Sequence, residues 1–365
     1  MSFDARMDNL RALLRCAMTV ELTTIPAYLT ASFSLEDGAP GVARNVVARE
    51  LLRSVLVEEM LHLTLVANIL NAVGGRPALD SAAWIPAYPA RLFPRNSEGL
   101  TVCGRRIGAS RPLTVHLRRF CPEQVKAFME IERPLAGADG AGEVHLRSIG
   151  EFYAALAAEL RAMVDEFGAA AVFCGDPARQ AGPEYYYAAG GALTVIDASG
   201  GSGPLEKALA AIAKISEEGE GLPADHKIFD GDVIPGGLGE EPAHFFRFRE
   251  ILEGRRYRVG DDWGDAPSGD AIVVDWDAVW PTLDDPDPDD PALAQDVAAA
   301  MRAFDARYTA LLRQINAALD GRPDLLRDAV HGMFDLKHRG VALMRLRLPD
   351  GRTAGPAWRF APEGA

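Results

Sequence analysis

The chain has 365 residues, a formal net charge of −14 and 48% apolar side chains, so it is long enough for one large domain or a main domain with a smaller partner. An acidic chain without a basic stripe lacks the attraction on which nucleic-acid and anionic-membrane binding depend, and neither partner is expected. Its four cysteines (Cys16, Cys103, Cys121, Cys174) stand far apart with no Cys-x-x-Cys pair, which argues against a zinc ribbon, an iron–sulfur site or a disulfide scaffold and fits a reducing cytoplasm.

Met1 to Arg6 leads directly into an amphipathic pattern without an apolar leader, and no uncharged apolar run is long enough to span a bilayer, so a soluble, cytoplasmic protein is expected. Residues 8 to 35 predict a long helix whose buried line runs through Leu10, Leu14, Ala17, Ile25 and Tyr28, with Glu21 in the middle. Glu21 either faces the core or turns to solvent. Pro26 removes one backbone hydrogen bond and crowds the Leu22 carbonyl, so a kink beside Glu21 is expected. Asp37 to Gly41 ends this helix and starts a second, residues 42 to 73, which stops at Gly74-Gly75 and forms an antiparallel pair with the first.

On the second helix Leu52, Val55, Leu63, Val66 and Leu70 share one line with Glu59 and His62. Glu58 points roughly 100° away and reads as a solvated acid. Burying an isolated carboxylate costs several kcal/mol, so Glu59 must be paired, protonated or metal-bound. Glu-x-x-His puts two ligands on one helix face, as in di-iron and di-manganese carboxylate bundles, although a satisfied structural pair would look the same.

From 76 to 143 helical periodicity gives way to prolines, glycines and short β-like runs (Leu100 to Val102, Leu113 to Leu117), the pattern of a long crossover between two antiparallel helix pairs. A third helix opens at Ser148 and runs to Phe167. Its Glu151 has two readings, a capping-box partner of Ser148 or a ligand on the face of Ala155, Ala158 and Ala162. Residues 168 to 203 are irregular, with Tyr185-Tyr186-Tyr187, of which one or two could line a pocket, and an expected strand at 192–196.

A fourth helix runs from Pro204 to about Gly219 and ends in Glu217, Glu218 and Glu220, acids that oppose the helix dipole. Glu220 lies nearest its apolar line and Glu218 on the opposite side. Pro242 opens a short helix on which His244, Phe248 and Leu252 align, so His244 faces the core; Glu241 competes with Glu220 as a ligand but also reads as a helix cap. After a strand-like run at 271–274, the acidic stretch Asp284 to Asp290 reads as an exposed linker. Helices at 291–320 and 323–346 and the tail through Trp358 are assigned to packing or to homodimer formation.

Nucleotide-binding glycine loops, a Gly-x-Ser-x-Gly elbow and His-Glu-x-x-His are all absent. What remains is Glu21, Glu59, His62, Glu151, Glu220 and His244. Four Glu and two His from separate helical segments match the ligand set of dinuclear carboxylate bundles in number and order.

Val20 to Leu29, Glu59 to Leu63 and Asn68 to Pro77 resemble the ferritin-like iminophenyl-pyruvate dimer synthase family, and Phe128 to Pro134, Ser148 to Tyr153, Gly219-Glu220-Gly221, His244 to Phe248 and Ala354-Gly355-Pro356 agree in order. In that pattern the residue before Gly219 is often Gln; here it is Glu218, an added negative charge. The resemblance implies a mainly α, ferritin-like four-helix bundle with a metal-dependent oxidative activity, of the kind that couples imines of aromatic 2-oxo acids in the violacein and rebeccamycin pathways.

We therefore expect a bundle over residues 1–260 with a crossover containing short β segments, and an added C-terminal helical hairpin in residues 261–365. The expected function is a metal-dependent oxidoreductase acting on an amino-acid-derived small molecule. Two iron ions would be held by the six residues, although Mn or Zn suits the same ligands. Glu59 and His62 sit at its chemical centre, and Tyr28 either lines the pocket or is a core tyrosine. The other reading is a non-catalytic metal-binding or structural bundle.

Overall fold

Helix α1 (Phe3–Ser34) starts where the Ser2 hydroxyl accepts a hydrogen bond from Ala5 N at 3.3 Å, one of the four donors that a helix start leaves unpaired. From Cys16 to Ala27 every residue of α1 is buried, which marks it as a central helix covered on all sides. The chain continues through α2 (Val46–Ala72), β1 (Ala90–Arg91), β2 (Thr101–Val102), β3 (Arg105–Arg106), β4 (Thr114–Val115), α3 (Pro122–Ile131), α4 (Ile149–Phe167), α5 (Ala169–Val172) and α6 (Pro204–Glu220). It ends with β5 (Phe229–Val233), β6 (Glu240–Pro242), α7 (His244–Glu253), α8 (Gln295–Leu319) and α9 (Leu326–Leu343). This computed structural model describes residues 2–36, 44–108, 113–134, 144–185, 193–199, 201–220, 228–233 and 240–361.

The packing α1–α2, α2–α6, α6–α4 and α4–α1 closes a ring of four helices. Helices α3 and α7 pack on each other, and α7 touches α2 and α6, so this short pair brings its side chains to the ring. The strands are short antiparallel pairs, β1 with β4, β2 with β3 and β5 with β6. Helix α2 is apolar and long enough to cross a membrane, but most of it is buried in the bundle. Pro26 leaves the Leu22 carbonyl without its helical donor, and the Tyr88 hydroxyl donates in that turn, 2.8 Å from Thr23 O and 3.5 Å from Leu22 O.

Several expectations need correction. The crossover contains a helix, α3, opened by Pro122 at its first position. Of the strand expected at 192–196, the described residues 193–196 are irregular. There Ile196 N and O bond the side-chain amide of Gln180, at 2.7 and 3.0 Å, instead of a neighbouring strand. Residues 271–274 contribute only an isolated bridge between Ala271 and Arg255. The acidic run is exposed at Asp284, Asp287, Asp289 and Asp290, as expected, but it is tied to the rest of the chain: Asp284 pairs with Arg118, Asp285 with His116, Asp287 with Arg359, and Asp289 with both Arg302 and Arg359. Its charges are matched by cations from the crossover, α8 and the tail. Residues 37–41, Tyr186, Tyr187 and Gly221 lie outside the described residues.

The hairpin α8–α9 packs against the bundle, and the tail is threaded into the same interface. Trp358 is 1% exposed, donates from Nε1 to Thr30 Oγ1 at 2.8 Å and meets the rings of Phe33, Phe304 and Tyr308. Asp305 Oδ1 accepts from Arg359 N at 3.0 Å. Burial pushes Asp305 up from 3.8 to about 7. The folded chain therefore holds this proton more tightly than the unfolded chain, a contribution present in full below the ordinary Asp range and lost as pH rises through about 7. Asp305→Asn keeps an acceptor for Arg359 N without a buried charge, so at pH 8 it should stabilise the protein by about 1–3 kcal/mol. The gain should vanish near pH 4, as measured by denaturant unfolding at both pH values.

Candidate metal centre

Two groups of buried side chains meet at the middle of the helix ring. Glu21 from α1 joins Glu59 and His62 from α2, and Glu59 also joins Glu132, which caps the C-terminus of α3, and His244 from the first turn of α7. Within each group the candidate donor atoms lie within 4.8 Å of one another. All five residues are at most 3% exposed, and Glu59 is common to both groups.

The two halves follow the same plan. His62 Nδ1 lies 3.5 Å from Glu21 Oε2, and His244 Nδ1 lies 3.1 Å from Glu59 Oε1 and 3.8 Å from Glu132 Oε2. The rings are 5.5 Å apart and inclined by 28°. Each distal nitrogen meets a second buried carboxylate: His62 Nε2 is 2.7 Å from Glu218 Oε2, and His244 Nε2 is 2.9 Å from Glu58 Oε2. A cation stands behind each of these acids, Lys214 Nζ 2.6 Å from Glu218 Oε1 and Arg247 Nη1 2.9 Å from Glu58 Oε1. Arg247 is fully buried and also donates to Ser54 Oγ and Pro242 O.

A tyrosine serves each half. Tyr153 donates to Glu21 Oε1 and Tyr28 to Glu132 Oε1, while Thr24 Oγ1 donates to Glu59 Oε2 at 2.6 Å. Burial and the adjacent carboxylates, Glu132 for Tyr28 and Glu21 for Tyr153, hold both phenols well above their ordinary pKa, so they remain proton donors. Tyr28 thus stands behind Glu132, fully buried against Phe128 and Phe248.

The protonation balance reflects this crowding. Burial and the charge of Glu132 push Glu59 up to about 7. Burial lowers both imidazoles, but contacts with Glu21 and Glu218 outweigh it and take His62 to about 10, and contacts with Glu132, Glu58 and Glu59 carry His244 well above its ordinary value. Glu58 is held below the usual carboxylate range: burial raises it, and Arg247 and His244 overcome that.

The donor set fits a pair of transition-metal ions. His62 turns Nδ1 toward Glu21 and His244 turns Nδ1 toward the shared Glu59, and each anchors Nε2 on a second acid, the arrangement that fixes ring orientation for metal ligation. Among the described residues, His244 Nδ1 is buried with no hydrogen-bond partner, since neither neighbouring carboxylate lies in line to accept from it. A buried ring nitrogen without a partner costs stability, whether it carries a proton or a lone pair, unless something else engages it.

Of the expected residues, Glu21, Glu59, His62 and His244 converge. Glu151 does not. Its backbone N–H donates to Ser148 Oγ at 3.1 Å, the Ser half of a capping box, whereas its carboxylate accepts from Arg147 N at 3.0 Å rather than from Ser148 N and pairs with the Arg147 guanidinium. Glu220 turns to the same helix start, where Gly150 N donates to Oε1 at 2.7 Å, and burial raises it to about 8. Glu241 is partly exposed and pairs with Arg247 at 3.1 Å. Glu58, read as solvated, is 6% exposed, and Glu218, read as pointing away, is 1% exposed.

Glu132 was missed because the segment around it lacks long-range periodicity. Val125, Phe128 and Glu132 nonetheless stand at i, i+3 and i+7 behind the start signal Pro122, which was a readable cue. Tyr153 and Glu218 carried no comparable signal.

Residues 14–253 match the family model described as Ferritin-like. The match covers well over half of the chain, which therefore belongs to the ferritin-like family. A solved structure, a ferritin-like protein from Caulobacter vibrioides, superimposes with a TM-score of 0.58 at 20% identity, covering 96% of this chain and 98% of that chain; the likeness is one of fold. Among curated proteins, none matches this chain.

The geometry separates inner from outer carboxylates. In protein purified without chelator, Glu132→Gln should lower bound transition metal by at least one ion per chain relative to wild type, while Glu151→Gln should leave it unchanged. Equal losses in the two variants, read by elemental analysis, would show that the ring centre is not where metal is held.

Proposed function

We propose that the protein is a metal-dependent oxidoreductase with a dinuclear, iron-preferring centre held by Glu21, Glu59, His62, Glu132 and His244. The observation that carries this reading is Glu59, shared between two Glu/His groups whose five members are at most 3% exposed. Three carboxylates and two imidazoles suit hard, oxidisable cations, and Mn or Zn could occupy the same donors. When bound, such a metal pair supplies two-electron oxidation chemistry with dioxygen or peroxide.

The chain's own residues set the conditions for that chemistry. Glu218 and Glu58 fix the two imidazoles through Nε2, and Lys214 and Arg247 hold those acids in place. Tyr153 and Tyr28 orient Glu21 and Glu132 by hydrogen bonds from their hydroxyls. The rings of Tyr28, Phe128 and Phe248 pack within 4.6 to 5.2 Å of one another and exclude water beside Glu132.

The finer reading, oxidative coupling of imines from an amino-acid-derived aromatic substrate, rests on the resemblance to the iminophenyl-pyruvate dimer synthases. To test it, the protein is loaded anaerobically with ferrous iron, given aromatic amino acids or their imines, and exposed to oxygen. Uptake should exceed the burst expected from iron oxidation alone and should fall at least tenfold in His62→Ala. Uptake unaffected by that substitution would assign the reaction elsewhere, and failure to bind any transition metal would favour a structural bundle.

A further inference from the structure

Among the described residues six large apolar side chains are exposed, Val46, Val259, Val273, Val330, Phe334 and Leu346, and all but Val46 fall in two patches. The first is a face of α9. The helix packs on α8 and α1 and buries Ala329, Leu336, Gly340 and Leu343, while Val330, Phe334, Lys337 and Val341 follow one another at the i, i+4, i+7 and i+11 spacing of a different face. Val330 is 47% and Phe334 59% exposed, and Leu346 comes just past the helix end. From residue 327 to 347, Arg327, Lys337, Arg339, Arg345 and Arg347 outnumber Asp328 and Asp335, and Asp335 already pairs with Arg307 and Arg339. This face is apolar and basic in a chain of net charge −14.

The second patch is the arm that follows α7. It doubles back on itself, with Arg256 N donating to Asp270 O and Ile272 N to Gly254 O, both at 2.8 Å. The arm is pinned to α7, because Tyr257 and Trp263 pack on Phe246 and Glu250 accepts from Tyr257 N at 2.6 Å. Val259 and Val273 on it are 79% and 82% exposed. Over residues 253–277 the exposed acids are Glu253, Asp262, Asp265, Asp270 and Asp277, against two exposed arginines, Arg255 and Arg258. Of the remaining charges, Arg256 pairs with Glu250, Asp261 lies 4.0 Å from Arg258, and Asp275 pairs with Arg44. The arm is apolar and acidic.

We propose that α9 of one copy docks on the arm 253–277 of a second copy of this chain. The homodimer expected of the C-terminal hairpin thereby gains a partner surface outside the hairpin. A lone exposed valine needs no explanation, but these two patches pair apolar side chains with opposite charge, and such complementarity speeds and orients association. Each copy carries both halves, so two copies related by a two-fold axis bury both patches of both. A foreign acidic partner seated on α9 would leave Val259 and Val273 in water.

The test is sedimentation velocity of the full chain at micromolar concentration. Wild type should run as a dimer, and molar salt should weaken it at least about tenfold. Phe334→Glu puts an acid on the basic face and Val273→Lys a cation on the acidic arm, and each variant alone should run as a monomer. Val46→Glu, outside both patches, should remain a dimer. Both altered side chains are exposed, so the unfolding midpoints should stay at the wild-type value. Mixing the Phe334→Glu and Val273→Lys variants should restore dimers, because each keeps the half that the other has lost. A wild type that stays monomeric or associates only with polyglutamate, a dimer that both substitutions leave intact, or two monomeric variants that do not recombine would overturn the proposal.

Discussion

Glu59 is the constraint around which the bundle is arranged. A carboxylate at the centre of a helix ring would be prohibitively desolvated on its own, and the chain surrounds it with His62, His244, Glu21 and Glu132, each at least as deeply buried. Those neighbours create a second problem, because three acids now share a small volume, and burial together with the charges of Glu132 and Glu21 pushes Glu59 up to about 7. Protons can compensate part of this charge, and metal cations can compensate all of it while also using the lone pair of His244 Nδ1. The fold family and the donor geometry thus converge on one explanation for so much buried charge.

The outer groups show how the centre is held rigid. Each imidazole is gripped from behind by a buried acid, and each acid is anchored by a cation, Glu218 by Lys214 one turn earlier on α6 and Glu58 by Arg247 from α7. Removing one member would strand the next, so these relays act as units. The short helices α3 and α7 matter for the same reason. Each delivers one inner residue, Glu132 or His244, and their mutual packing fixes both.

Much of this was legible in the sequence because long helices advertise their buried faces. The apolar lines through Leu10 to Tyr28 and through Leu52 to Leu70 give α1 and α2, and they mark Glu21, Glu59 and His62 as acids and a base where only a core should be. His244 was visible on the same grounds. The remainder was hidden for physical reasons. Helix α3 is ten residues long, too short for periodicity to stand out, and so Glu132 was lost. Glu220 is captured by the Gly150 N–H in the first turn of α4, and the Glu151 carboxylate by the N–H and guanidinium of Arg147 just before that helix. Glu58 and Glu218 lie off the core lines of their own helices and are buried by α7 and α2, tertiary neighbours that a helical wheel does not contain.

The most direct test is crystallographic. Crystals of iron- or manganese-reconstituted protein, measured at the metal absorption edge, should give two anomalous peaks on either side of the Glu59 carboxylate, one within bonding distance of Glu21 and His62 and the other of Glu132 and His244. Peaks only beside Glu151 or Glu220, or no peak at the ring centre after metal loading, would contradict the account.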